Sequence, residues 1–283
     1  MSIKEQFEKT EKLYHFTSFD TALKIIESNH LRYGRLNNMN DIHENDKIVL
    51  VDAKNHPTDK FPSDVLDELY DEIYKYRQIS LTADDKEGDK DGFDLHQMWG
   101  LYADKGEGVC LIFDKKELEK GFGSAALHDR VSYDKTVDSY YISLSNTADK
   151  VSIEIRKHAN EIFFHKRREW EHEQEYRLLR RCPIATREEY LFLGHALKFV
   201  ILSSRLHNLD EVLYFKKIKN IKDKIEKTEK ARNRGEVGRI PVLVYGNGLL
   251  DYALCTEDGT EELWNSNDGY DVLIVGENCE LEL

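Results

Sequence analysis

The sequence predicts a mixed fold of the α+β class, and three observations predict it. Stretches with the apolar spacing of amphipathic helices are interspersed irregularly with short runs rich in β-branched and aromatic residues. One such run, Gly108-Val109-Cys110-Leu111-Ile112-Phe113-Asp114, is almost continuously apolar, as suits a central strand covered on both faces. The 283 residues include only four prolines, and 40% are hydrophobic against 34% charged, which leaves little for long linkers and enough for a sizeable core.

In chain order, Ile3 to Lys12 reads as a polar helix or arm, and Leu13-Tyr14-His15-Phe16-Thr17 as a short strand. Ser18 or Asp20 would cap a helix from Thr21 to Ser28, where Ala22, Ile25 and Ile26, with the preceding Phe19, give one apolar face. Asn29 ends it, Leu31 to Leu36 returns as a strand, and Asn37 to Asp41 is turn-rich. Ser63 to Arg77 is helical, with Val65, Leu66, Leu69, Ile73 and Tyr76 in phase, and Ile79 to Thr82 is a short strand. Asp94 to Ala103 is a helix, followed by the apolar strand and another short strand from Arg130 to Asp134. A long helix is predicted over Asp149 to His172, with Val151, Ile155, Ile162, Phe163 and Trp170 on its apolar side. Tyr176 to Arg180, Leu197 to Leu202 and Pro241 to Tyr245 are strands, separated by a charged helix from Asp210 to Arg234. Leu249 to Cys255 and Val272 to Val275 make a β-rich tail, so that residues 1–205 read as the core and 206–283 as an extension packed on it.

Bulk properties exclude several classes. No run approaches 18 apolar residues, and Met1 to Lys12 lacks the apolar segment of a signal peptide, so a soluble cytoplasmic protein with no membrane partner is expected. Cys110, Cys182, Cys255 and Cys279 are too scattered for a zinc motif and are expected to be reduced thiols. The histidines are equally dispersed, so no metal site is expected. A net charge of −13 repels nucleic acid at long range, although it is uneven: Asp84 to Asp94 is acidic and Phe215 to Arg239 is rich in Lys and Arg. There is no H-E-x-x-H, no G-x-S-x-G, no P-loop and no dinucleotide fingerprint.

Four clusters follow in a fixed order. Leu13-Tyr14-His15-Phe16-Thr17-Ser18 is first, and Leu31 through Asn40-Asp41 and Glu44 second. Met98-Trp99-Gly100-Leu101-Tyr102-Ala103, running into Gly108 to Asp114, is third, and Lys166 with Glu169-Trp170-Glu171-His172-Glu173-Gln174-Glu175-Tyr176-Arg177-Leu178-Leu179 is last. Together, over Leu13 to Leu202, they resemble a bacterial family of domains of unknown function carrying Y-H-[YF]-T-S, W-x-x-Y-A, G-[VI]-C-h-x-F-[DE] and W-x-x-E-x-E-Y-R. That family in turn resembles, more remotely, the ADP-ribosyltransferases.

The second resemblance implies a split, partly antiparallel sheet with helices outside it and NAD as substrate. It implies an early strand whose His grips NAD, matched by His15 with Thr17 beside it. A second core position carries Tyr or a Ser-bearing strand, and Tyr33 and Ser80 are alternatives for it. The catalytic Glu is often the second of an E-x-E pair, matched by Glu173 and Glu175. It further implies a toxin-like effector in stress or phage defence, a protein or nucleic-acid acceptor, and an antitoxin or other neutralising partner.

The chemistry suits these residue types. Breaking the nicotinamide–ribose bond develops positive charge on the ribose, as in glycoside hydrolysis, and a fixed carboxylate such as Glu175 stabilises it. Glu173, two residues earlier on an extended chain, would share its face and orient or deprotonate the nucleophile. His15 would fix the ribose or the nicotinamide amide, with Tyr33 stacking on the ring, and this needs the imidazole and the Glu175 carboxylate to face one hollow. Lys166, Arg167, Arg168, Arg177, Arg180 and Arg181 bracket the pair and would attract phosphates, whereas the overall acidity favours a protein acceptor.

Each residue also has a plain structural reading. His15 can be an ordinary strand histidine, Glu171, Glu173 and Glu175 a solvated edge paired with Arg177 or Lys166, and Tyr33 simple packing. Trp99 and Tyr102 suit a core helical face, and Asn40, Asp41 and Glu44 a loop followed by a cap. On that reading the chain is a non-catalytic module that binds a ligand or partner through its cleft or its basic helix.

Overall fold

The computed structural model describes residues 3–36, 48–51, 63–85, 90–123, 126–133, 140–143, 148–184, 187–203, 205, 211–231, 240–246 and 249–252. The Asn40-Asp41 and Glu44 segment, Cys255, Cys279 and the strand expected at Val272 to Val275 lie outside the described residues. The strands are β1 (Lys12–Thr17), β2 (His30–Arg32), β3 (Gly34–Arg35), β4 (Ile48–Val51), β5 (Tyr76–Ala83), β6 (Val109–Asp114), β7 (Ala126–Arg130), β8 (Tyr140–Ser143), β9 (Glu175–Arg181), β10 (Tyr190–Phe192), β11 (Leu197–Ser203), β12 (Val242–Gly246) and β13 (Leu249–Tyr252). The α-helices are α1 (Ile3–Lys9), α2 (Phe19–Ser28), α3 (Ser63–Tyr74), α4 (His96–Tyr102), α5 (Lys115–Glu119), α6 (Ala148–Lys157), α7 (Ala159–Phe163) and α8 (Glu211–Ala231). Helices and a mixed, mainly antiparallel set of strands make the class α+β, and the chain divides into two compact units, each built from separated stretches.

The first unit comprises Met1–His30, Asp84–Gly121 and Phe192–Leu283. Its strands lie in the order β13-β12-β11-β6-β1, antiparallel except for the parallel β11–β12 pair. The apolar strand β6 is central, and its Val109 to Phe113 are fully buried, as a strand with both faces covered requires. One face packs Phe7, Tyr14, Phe16, Phe93, Trp99, Phe199 and Tyr245 into an aromatic cluster. Trp99 donates its indole N–H to the Phe93 carbonyl at 2.7 Å and stacks on Tyr245, so the α4 motif is a core face, as its spacing predicts. The Ser18 hydroxyl caps α2 by accepting from the Thr21 N–H, and Asn29 closes it in the left-handed conformation at φ 56°. The charged α8 packs on α2, and its Ile218, Ile221 and Ile225 are buried at helical spacing.

The second unit comprises Leu31–Ala83 and Phe122–Leu191. Antiparallel neighbours run β3-β5-β9-β7, and β4 pairs in parallel with β8. Leu69 and Ile73 of α3, Ile155 of α6 and Ala159, Ile162 and Phe163 of α7 form a core with Tyr76 and Leu179. Three expectations shift here. Tyr76 begins β5 instead of ending the α3 helix, although it still packs in the core that the helical phase assigned to it. The long helix expected over Asp149 to His172 is broken: α6 ends at Lys157, α7 at Phe163, and a bridge between Ser132 and His165 follows before a 3-10 turn over Arg168–Glu173. Leu31 to Leu36 is not one strand but β2 and β3, interrupted at Tyr33, whose N–H donates to the Glu189 carbonyl at 2.9 Å.

Candidate active site

The two carboxylates of the E-x-E pair are buried together in the second unit, each about 3% exposed. The backbone route differs from the extended chain expected. Glu173 ends the 3-10 turn, Gln174 is left-handed at φ 44°, and only then does β9 begin at Glu175. The side chains converge because Lys166 lies between them: its Nζ is 2.5 Å from Glu173 Oε2 and 3.6 Å from Glu175 Oε2. Lys166 is itself buried and sits 4.6 Å from the centre of the Trp170 ring.

Alternation along β9 puts Arg177 on the same face as Glu175. Arg177 grips that carboxylate with both arms of its fork, Nε to Oε1 at 3.0 Å and Nη2 to Oε2 at 2.7 Å, while Nη1 donates to the Phe163 carbonyl. From β5, Gln78 donates its Nε2 to Ser80 Oγ at 2.9 Å and to Glu175 Oε1 at 3.4 Å, and the Ser80 hydroxyl donates to Glu175. The register makes this possible, with Ser80 opposite Arg177 and Thr82 opposite Glu175. The Tyr133 hydroxyl accepts the Glu175 N–H at 2.8 Å, and burial beside that carboxylate raises its pKa well above the ordinary tyrosine value.

Burial alone pushes the Glu175 carboxyl up. The charges of Arg177 and Lys166, with hydrogen bonds from Arg177 and Ser80, outweigh it and hold the group down at about 2. Glu175 is therefore ionised at neutral pH, a fixed negative charge in a low-dielectric setting. Ser80 is the only exposed residue of β5, so the cluster comes nearest to solvent along that strand at this serine.

The structure thus brings Glu173, Glu175 and Ser80 into one polar network. Tyr33 belongs elsewhere in the same unit: burial, against the opposing charge of Arg180 and helped by Glu189, raises its hydroxyl to about 12, and that hydroxyl has no hydrogen-bond partner among the described residues. His15 and Thr17 lie on β1 of the first unit, His15 half-buried and Thr17 buried, paired across the sheet with Leu111 and Val109. Two members of the network, Gln78 and Tyr133, escaped sequence reasoning. The i, i+2 spacing of Gln78 and Ser80 on one strand was the available signal for the first; nothing local marks Tyr133.

The family described as "Protein of unknown function (DUF2971)" matches residues 98–178. That stretch runs from the Trp99 to Ala103 motif to the Glu175-Tyr176-Arg177 motif and stops short of the His15 strand. No curated protein matches. Among solved structures, the chain is similar to Thermus sp. 2.9 DarT in complex with ADP-ribosylated ssDNA, with 10% identity, coverage of 85% of this chain and 96% of that chain, and a TM-score of 0.33. It is similar likewise to Thermus sp. 2.9 DarT in complex with NAD+, with 10% identity, coverage of 85% and 98%, and a TM-score of 0.34. Likeness at this level says nothing about which residues would hold a ligand.

Proposed function

We propose that this chain is an NAD-dependent ADP-ribosyltransferase, toxin-like in action, that transfers ADP-ribose to a protein or nucleic-acid acceptor, as in stress or phage defence. The observation that carries the reading is the juxtaposition of an ionised Glu175 with the hydroxyl of Ser80, the one exposed residue of the neighbouring strand. Glu175 supplies the negative charge that an oxocarbenium-like ribose requires. Its carboxylate already receives both arms of Arg177, Gln78 and Ser80, with Lys166 beside it, and a carboxylate has about four acceptor positions. A ribose hydroxyl therefore binds by taking the place of the Ser80 hydroxyl, the one exposed donor, and Ser80 turns to the substrate. This favours Ser80 over Tyr33 for the second NAD position. Glu173, held by Lys166, is the group that orients the acceptor nucleophile or takes its proton. His15 and Thr17 keep their assignment to nucleotide binding on the strength of the sequence resemblance.

The test is to incubate the purified protein with NAD labelled in the adenylate and, separately, in the nicotinamide, with and without cell lysate. Label transfer or nicotinamide release that falls about 10²–10³-fold in Glu175→Gln supports the reading. Absence of both reactions, with growth unaffected by overexpression, refutes it.

One observation favours a second reading, a non-catalytic ligand- or partner-binding module. Glu175 has a full set of protein partners and is almost wholly buried, as a structural ion cluster would be. NAD binding without nicotinamide release, unaltered in rate by Glu175→Gln, would select it.

A further inference from the structure

A second polar feature lies on the opposite face of the strands that carry Glu175. The register places Arg35 of β3 opposite Arg77 of β5, and Arg77 opposite Arg180 of β9. Directly opposed residues on antiparallel neighbours share a face about 5 Å apart, so three arginines stand in one row spanning roughly 10 Å. Like charges so placed disfavour the sheet. Alternation from Glu175 to Arg180, five residues along β9, sends this row to the other face from the carboxylate cluster.

Arg32 and Arg187 flank the row, and the acidic residues beside it are Glu188 and Glu189. Arg32 pairs with Glu188 at 3.4 Å, while Arg180 and Arg187 both approach Glu189, at 3.8 and 3.5 Å. Arg77 is buried, with its guanidinium donating to the Tyr74 and Tyr76 carbonyls, so four arginines, Arg32, Arg35, Arg180 and Arg187, face two glutamates at the surface, a cationic island on a chain whose net charge is −13. With a screening length of about 8 Å at physiological salt, a ligand on this island responds to the local charge more than to the distant acidic residues. The flanking side chains reach solvent: Arg32 is 64% exposed, Arg180 41% and Arg187 66%. Tyr190, 48% exposed, stands beside them with its hydroxyl donating to Glu188.

We infer that this row is a binding surface for single-stranded nucleic acid, with Arg35, Arg180 and their neighbours on successive phosphates and Tyr190 as a stacking platform for a base. A row of this span is longer than one phosphate can fill, and guanidinium forks match phosphate oxygens bidentately. The exposed aromatic distinguishes a base-bearing chain from an acidic peptide, since base–aromatic stacking is the usual second component of single-strand binding. The surface is separate from the Glu175 cluster and stands whether or not that cluster turns over NAD.

The experiment measures fluorescence anisotropy of a labelled 20-nucleotide oligothymidylate with the full chain, without NAD, at several salt concentrations. Binding is expected at low salt, and Arg35→Ala and Arg180→Ala should each reduce the slope of log affinity against log salt by about 0.7. Tyr190→Ala should weaken binding roughly 5- to 150-fold, while Lys120→Ala, an exposed lysine paired with Glu117, leaves it unchanged. All the substituted side chains are exposed, and a circular dichroism melt verifies that each variant folds. Three outcomes would overturn the inference: no binding at low salt, binding indifferent to Arg35, Arg180 and Tyr190, or equal competition by heparin with no effect of Tyr190→Ala. Because NAD is absent throughout, failure here is distinct from failure of the transferase reading, which nicotinamide release decides.

Discussion

Replacing Arg177 by methionine removes the fork that holds Glu175 and leaves a carboxylate 3% exposed with Lys166, at 3.6 Å, as its remaining close cation. In the intact protein the Glu175 carboxyl is held at about 2 against an ordinary value of 4.5. At about 1.4 kcal/mol for each tenfold change in proton affinity, that depression corresponds to about 3 kcal/mol of stability. Because the folded-state value is the lower one, this contribution is fully present above the unfolded value, near 4.5, and is lost as pH falls through about 2. Breaking a buried ion pair from one side typically costs about 3–5 kcal/mol, in agreement. The assay is urea unfolding followed by tryptophan fluorescence, for which Trp170, over the Lys166 ammonium, is a local reporter. Arg177→Met should lose about 3 kcal/mol at pH 7.5, the deficit should shrink by pH 2.5, and Glu175→Gln in the same chain should restore part of it. A loss below about 1 kcal/mol at pH 7.5, or one that does not vary with pH, would refute the account of Glu175 as a charge held ionised by Arg177.

Three further outcomes are expected. Gly108→Ala would set a methyl group 2.3 Å from the Thr17 carbonyl oxygen and 2.8 Å from the Ala103 backbone, so the melting temperature should fall by about 5 °C or more; an unchanged melt would show that the Gly108 turn can relax. Glu72, fully buried, accepts Arg181 Nε at 2.5 Å and Nη2 at 2.8 Å, and Glu72→Gln should cost about 3 kcal/mol in the same urea assay, with a cost under about 1 kcal/mol counting against the pairing. Ser80→Ala removes one hydrogen bond to an ionised acceptor and should cost about 1.5 kcal/mol of stability while weakening NAD binding in calorimetry; unaltered NAD affinity would remove Ser80 from the site.

The burial of the carboxylate cluster bears on both functional readings. A catalytic carboxylate needs a fixed charge and a place for the reacting group, and Arg177 and Lys166 provide the first. On the transferase reading the second would lie at Ser80, the one exposed residue of β5. Had Glu175 been an exposed edge residue paired loosely with Arg177, its charge would be screened by water and worth little to a developing oxocarbenium ion. Burial makes the group either a strong electrostatic catalyst or a strong structural tie, and the nicotinamide measurement separates the two.

Local sequence determined the parts of this protein that rest on periodicity and on short-range stereochemistry. The apolar run from Val109 to Phe113 is a buried strand, Ser18 and Asn29 bracket the helix that Ala22, Ile25 and Ile26 anchor, and α8 follows the charged helix read over Asp210 to Arg234. Those features depend on neighbours within a few residues, so composition and spacing suffice. The helix break before the E-x-E pair was not legible, because Val151, Ile155, Ile162 and Phe163 keep helical phase across His158 while the bridge from Ser132 to His165 ends the run. Tertiary structure decided the rest. Glu173 meets Glu175 through Lys166 and a left-handed Gln174 instead of through the pleat of a strand, and Ser80, not Tyr33, stands against Glu175 because β5 pairs with β9 in that register. The row of Arg35, Arg77 and Arg180 is likewise a product of register, since residues more than forty apart become neighbours only when strands align. Pairing and burial are non-local: a one-residue slip would send every one of these side chains to the other face, and nothing in the residues near Glu175 specifies which strand will lie beside it.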